Sequence, residues 1–90
     1  MTYLAISTNS GDPSALVAAE GARTAELVSS GVIDKVWLKP DWSGAVLVLT
    51  SGDEQAARDA VGSLPITRAG LTRWAFTAVV EPPVGPPAER

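Results

Sequence analysis

Hydrophobic periodicity changes along this chain in an order that leaves few folds open. Residues 2–8, TYLAIST, alternate with the period of two of a half-buried strand. The next segment turns helical. Asp12 and Pro13 form its start, with Asp12 as cap and Pro13 in the first helical position, and Gly31 supplies the left-handed residue that ends it. Strand patterns return over 32–39, VIDKVWLK, and 45–51, AVLVLTS, joined by PDWSG, a connection of hairpin length. The unbroken apolar run of 45–51 predicts a strand buried on both faces. GDEQAARDAVGSL reads as a second helix, capped near Gly52 or Asp53 with acids in its first turn and ended by Pro65. LTRWAFTAVV, 71–80, is the fourth strand. The Pro-rich EPPVGPPAER cannot build a ladder. The chain therefore divides into one domain over 1–81 and an extended tail over 82–90.

The order β-α-β-β-α-β is the split βαβ, or ferredoxin-like, motif of the α+β class. It predicts a four-stranded antiparallel sheet with both helices on one face and the other face open. In strand four, Trp74, Phe76, Ala78 and Val80 fall on one side, and Leu71, Ala75 and Val79 fall on the other with Arg73 and Thr77. Both sides are substantially apolar, so the open face needs a cover. The economical cover is a second copy, sheet against sheet, which predicts a homodimer or a larger assembly.

Composition removes several functional classes. The formal charge is −3, and the seven Lys and Arg are scattered without a basic stripe, so nucleic acid is not an expected partner. The chain has no cysteine and no histidine. Disulfides, thiol chemistry and serine-histidine catalysis are out, and zinc or copper sites lose their usual ligands. The aspartates show no metal-loop spacing. No apolar run reaches the roughly 20 residues of a membrane span, and no secretory leader is legible. The expectation is a cytoplasmic protein with no cofactor, no metal and no membrane, acting on a small molecule.

One carboxylate stands out within LVAAEGARTAELV. Residues of a helix advance about 100° each. With Leu16 at zero, Leu27 falls near ~20°, Glu20 near ~40°, Thr24 near ~80°, Val17 near ~100° and Val28 near ~120°. Glu26 falls on the opposite side, so Glu20 faces the sheet and Glu26 faces solvent. Two readings stay open. Glu20 either reaches past small neighbours to water or pairs with Arg23 or Thr24, or it lines a pocket between helix and sheet as a general base or acid.

The stretch EGARTAELVSSGVIDKVW resembles the muconolactone Δ-isomerases. Glu20, Ala22, Glu26, Leu27, Ser30, Gly31 and Trp37 match that family's pattern without a gap, and Ser51, Asp53, Glu54, Leu64-Pro65 and Glu81-Pro82 continue it. The resemblance implies a ferredoxin-like fold assembled through its sheets into a dimeric α+β barrel. It implies cofactor-free chemistry that moves a proton across a butenolide ring and shifts a double bond, with Glu20 as the base. Such a step needs a base at the acidic carbon and a group that stabilises the enolate.

Beside Glu20, Arg73 and Tyr3 are the candidate polar partners, Arg73 for a carboxylate or enolate and Tyr3 as a proton donor. Tyr3 and Ser7 share a face of strand one; Arg73 and Thr77 share a face of strand four. Those two strands are expected centrally but against different neighbours, so whether the two sets meet is open. Trp37, Trp74 and Thr24 are the candidate ligand-contacting residues, with core or interface packing as the alternative for both tryptophans. Trp42 sits in the hairpin connection, where exposure points to a partner contact. The first reading is a small cofactor-independent isomerase-like enzyme acting on a lactone, aromatic or polyketide-like substrate. The alternatives are a non-catalytic ligand-binding or interaction domain of the same fold, favoured by the lack of His in DEQAARD, and a cofactor-free monooxygenase, by analogy of fold.

Overall fold

The computed structural model describes residues 1–80. The expected tail over 82–90 lies outside the described residues. The elements are β1 (Thr2–Asn9), a short 3-10 turn (Ser14–Leu16), α1 (Val17–Ser29), β2 (Ile33–Leu38), β3 (Ala45–Thr50), α2 (Glu54–Gly62), α3 (Pro65–Arg68) and β4 (Thr72–Val79). The strands form one antiparallel sheet in the order β2-β3-β1-β4. This is the α+β ferredoxin-like architecture that the periodicities predict. No described helix is long and apolar enough to cross a membrane.

Strand register sorts the side chains onto two faces. Tyr3, Ala5 and Ser7 of β1 are buried. Tyr3 and Ala5 stand beside Leu49 and Leu47 of β3, and all three stand beside Ala78, Phe76 and Trp74 of β4. The helices lie on this face: Leu27 of α1, Ala57 and Val61 of α2 and Leu64 join the same core. Burial of Leu27, Val61 and Leu64 stabilises the fold by roughly 1.5–3 kcal/mol each. The opposite face carries Leu4, Ile6, Val46, Val48, Trp37, Ala75 and Arg73, with no layer over it among the described residues. Val46 and Val48 are half-buried, so β3 is buried on its helix-facing side only. The unbroken apolar run reflects a strand whose second face no described helix covers.

The helix boundaries show where local chemistry overrides pattern. Asp12 does not cap α1. Its Oδ1 accepts a hydrogen bond from the Ser14 amide at 3.0 Å, a turn closed two residues on, and the chain passes through the 3-10 turn before α1 begins at Val17. Gly31 does end α1, with φ +83°. Asp53 caps α2 by accepting from the Ala56 amide at 2.8 Å. Pro65 does more than stop α2, because it occupies the first turn of a separate short helix, α3, with Leu64 extended before it.

Two placements differ from expectation. β1 and β4 are direct neighbours, β1 central and β4 at the edge, paired from Thr2↔Val79 to Asn9↔Thr72. Yet Arg73 stands beside Thr8, on the opposite face of the sheet from Tyr3 and Ser7. In β2 the register shifts between Ile33 and Lys35. An extra residue in a strand reverses the face of everything after it. Ile33 is buried, while Lys35 and Trp37 turn to the open face, where the Lys35 Nζ lies 5.9 Å from the Trp37 ring centroid.

Candidate functional site

A cavity of about 370 Å³ opens between the N-terminal half of α1 and the sheet. Its origin is the sheet-facing stripe of α1. Leu27 fills the core at the helix's C-terminal end, but the residues one, two and three turns earlier are Thr24, Glu20 and Val17, and all three line the cavity. No large apolar side chain draws that end of the helix down. The floor is Ser7, Leu47, Thr72 and Trp74 from three strands; Leu64 and Ile66 close one end. Val36 and Leu38 border it from β2, and Trp42 stands at the hairpin.

Glu20 is half-buried, and its Oε1 accepts a hydrogen bond from the Ile66 amide at 3.0 Å. Pro65 has no amide hydrogen, so the Ile66 amide is the first donor of α3 that needs a partner. Glu20 supplies it from another helix. Among the described residues no hydrogen bond or ion pair engages Oε2. Arg23 does not pair with Glu20. Its Nε donates to Ser63 Oγ at 3.0 Å, and its Nη1 lies 3.3 Å from Glu26 Oε1. Glu20 is the one charged side chain on the cavity wall among the described residues.

The other polar groups are arranged in different ways. Ser7 Oγ accepts from the Ala45 amide at 2.8 Å, bridging β1 to β3 where their ladder ends. Asn9 Nδ2 donates to the Trp42 carbonyl at 3.2 Å. Trp74 Nε1 donates to Thr67 Oγ1 at 2.9 Å, which fixes the indole between β4 and α3. Thr72 is 8% exposed and its buried Oγ1 has no hydrogen-bond partner among the described residues. Trp42 is 73% exposed and has φ +62°, a conformation uncommon outside glycine and asparagine. The Lys39 carbonyl accepts from the Trp42 amide at 2.9 Å and closes the turn that holds it.

Of the residues singled out in the sequence, the fold brings Glu20, Thr24 and Trp74 to one cavity. Tyr3 is buried in the core and does not line it. Arg73 and Trp37 are on the other face of the sheet. Trp37 is 51% exposed there. Sequence reasoning missed Thr72 and Ile66. Thr72 precedes Trp74 by two and so shares its face, a signal present in the strand pattern. The role of the Ile66 amide follows from Pro65 only once α3 is known to exist.

A fold of this kind, with a half-polar cavity under its first helix, defines a class of small α+β proteins rather than one activity. No protein-family model and no curated protein sequence matches the chain. Among solved structures it is similar to 5-chloro-2-hydroxyhydroquinone dehydrochlorinase from Burkholderia phenoliruptrix, solved in complex with 2,5-dihydroxybenzoquinone. The TM-score is 0.73 at 16% sequence identity, over 91% of this chain and 96% of that one. At that identity the likeness establishes the fold.

Proposed function

We propose that this chain is a small cofactor-free enzyme that moves a proton on a lactone or hydroxylated aromatic substrate held under α1, with Glu20 as the base. The observation that carries the reading is the Glu20 carboxylate itself. One oxygen is held by the Ile66 amide and the other is unengaged among the described residues, on the wall of a largely apolar cavity. A fixed carboxylate with a free lone pair is suited to take a proton from one carbon and return it at another. The resemblance to the muconolactone isomerases implies a base at this position, and the similar solved structure is named for removing the elements of hydrogen chloride from a hydroxylated ring. Trp74 and Leu47 supply an apolar floor.

The test is an uncharged β,γ-unsaturated butenolide, α-angelica lactone, followed by NMR in D₂O. Removal of the proton beside the carbonyl and return of a deuteron at the far end of the conjugated system gives the α,β-isomer. Glu20→Gln should lower that turnover by about 10²–10⁴-fold. Equal turnover by the variant would remove Glu20 from the mechanism.

A second reading has its own observation. Glu20 satisfies the first amide of α3, a purely structural task that would explain a carboxylate at this place in a non-catalytic ligand-binding domain. The partner expected in either case is a second copy of the chain. Ile6, Trp37, Val46 and Val48 stand together on the open face, and a sheet-to-sheet homodimer would cover them.

A further inference from the structure

We propose that the cavity takes an uncharged hydroxylated aromatic of up to two rings, and that Thr72 is the residue that selects it. The inference rests on reading the cavity as the working site. It starts from a cost. A buried hydroxyl that makes no hydrogen bond destabilises a folded chain, and native structures hold few of them. Thr72 Oγ1 is such an atom, in a side chain that lines the cavity. Valine has the same shape and no hydroxyl to leave unsatisfied. A strand position on the wall of a largely apolar cavity gives no structural reason to prefer threonine. A ligand oxygen does. Oγ1 is shielded in this structure, and because no described residue bonds it, a turn about χ1 that exchanges it with the side-chain methyl gives up no hydrogen bond among the described residues.

Charge and size set the ligand class. The cavity's charged side chain among the described residues is the Glu20 carboxylate, and no Lys or Arg borders it there. An anionic ligand would meet a like charge in an apolar enclosure with nothing to balance it. A ligand with a neutral O–H suits Glu20 Oε2 as acceptor, and a second oxygen on the ring suits the Thr72 hydroxyl as donor. An apolar cavity of about 150 Å³ holds one benzene ring. The volume of about 370 Å³ here leaves room for two fused rings over Trp74 and Leu47.

The experiment compares 2,6-dihydroxynaphthalene with 6-hydroxy-2-naphthoate, which replaces one hydroxyl by a carboxylate. Binding of each is measured by calorimetry, with amide chemical shifts of Ile66 and Thr72 reporting the place. The diol should bind at least ~10-fold more tightly than the carboxylate. Thr72→Val should weaken the diol by about 5–10-fold, the loss of one hydrogen bond. The same variant should unfold in urea at an equal or higher midpoint. A variant that unfolds earlier would mean that the hydroxyl has a structural partner, and the proposal falls. It also falls with unchanged diol binding in Thr72→Val, with equal binding of both probes, or with no binding of the diol at all. None of these outcomes decides whether Glu20 is the base, which is read from turnover in Glu20→Gln.

Discussion

The Glu20 carboxylate on α1 and the Ile66 amide at the start of α3 lie 46 positions apart in sequence and 3.0 Å apart in space. That bond makes the first helix part of the cap of the third. It also fixes the carboxylate whose other oxygen is available to a ligand. Structural and chemical roles of Glu20 can therefore be separated by two substitutions. Glutamine keeps an oxygen that accepts from Ile66 and loses the base. Alanine loses both. Loss of a side-chain cap costs about 1 kcal/mol, which in a domain of this size lowers Tm by about 4–8 °C. Glu20→Ala should show that loss in thermal denaturation, and Glu20→Gln less than half of it. Equal losses in the two would mean that charge, not the hydrogen-bond acceptor, holds α3.

Much of this arrangement is legible in the sequence because it depends on neighbours in the chain. The succession of strands and helices along the chain follows from period, the end of α1 from Gly31, and the start of α2 from Asp53. The helical angle of Glu20 relative to Leu27 puts it toward the sheet, and the cavity is where it arrives. What stays hidden depends on single long-range or non-periodic events. The bulge between Ile33 and Lys35 reverses the face of Trp37, and nothing in VIDKVW marks it. Trp37 and Trp74, alike as strand tryptophans, thus end on opposite sides of the sheet. The short helix α3 escapes because Pro65 signals both a stop and a start, and four residues are too few for a period. Asp12 followed by Pro13 looks like a helix cap, but its carboxylate is satisfied by Ser14 before the helix begins.

The open face of the sheet gives an independent prediction. Val46 stands between Ile6 on β1 and Trp37 on β2, so it lies near the middle of that face. Ile6 is 37% exposed and Trp37 51%. If two copies pack sheet to sheet, a lysine at Val46 would bury a charge in the interface without a partner. Wild-type protein should sediment as a dimer or larger, and Val46→Lys as a folded monomer, with circular dichroism unchanged. A wild-type monomer at 100-micromolar-order concentrations in sedimentation equilibrium would leave that face without its second copy.

The hairpin that carries Trp42 is held by a titratable group. Asp41 Oδ1 accepts from the Ser43 hydroxyl at 2.6 Å and from the Ser43 amide at 3.0 Å. The hydroxyl first, then the amide, lower the Asp41 pKa below its ordinary 3.8. A depressed carboxylate contributes stability that is present above the unfolded value and lost as pH falls through the folded one. The Asp41 turn is therefore expected to hold at neutral pH and to loosen only below about pH 3.8. Carboxyl-carbon NMR should place the Asp41 midpoint below that of an exposed aspartate, and the Trp42 indole signal should shift with the same midpoint. A Trp42 transition centred above pH 4 on the ordinary carboxylate scale would assign the change to another group.

Two glycines make opposite predictions from the same substitution. A Cβ added at Gly44 would collide with the Ser7 carbonyl, where the hairpin backbone passes against β1 beside the cavity. Either the hairpin lifts away or β1 shifts, and the Ser7 bond to the Ala45 amide is strained with it. Overpacking of this kind costs typically about 1–3 kcal/mol. Gly21 lies in the interior of α1 with nothing near the position of a Cβ. Alanine there should stabilise the chain by roughly 0.5–1 kcal/mol, because glycine carries that penalty in a helix. Urea denaturation of both variants decides the matter, and Gly44→Ala carries a second readout. Because Gly44 borders the cavity, its shift should also alter the amide signals of Ser7 and Ala45, whereas Gly21→Ala should leave them in place. A Gly44→Ala protein with wild-type stability and unshifted Ser7 and Ala45 amides would mean that the hairpin does not approach β1 as closely as the structure has it.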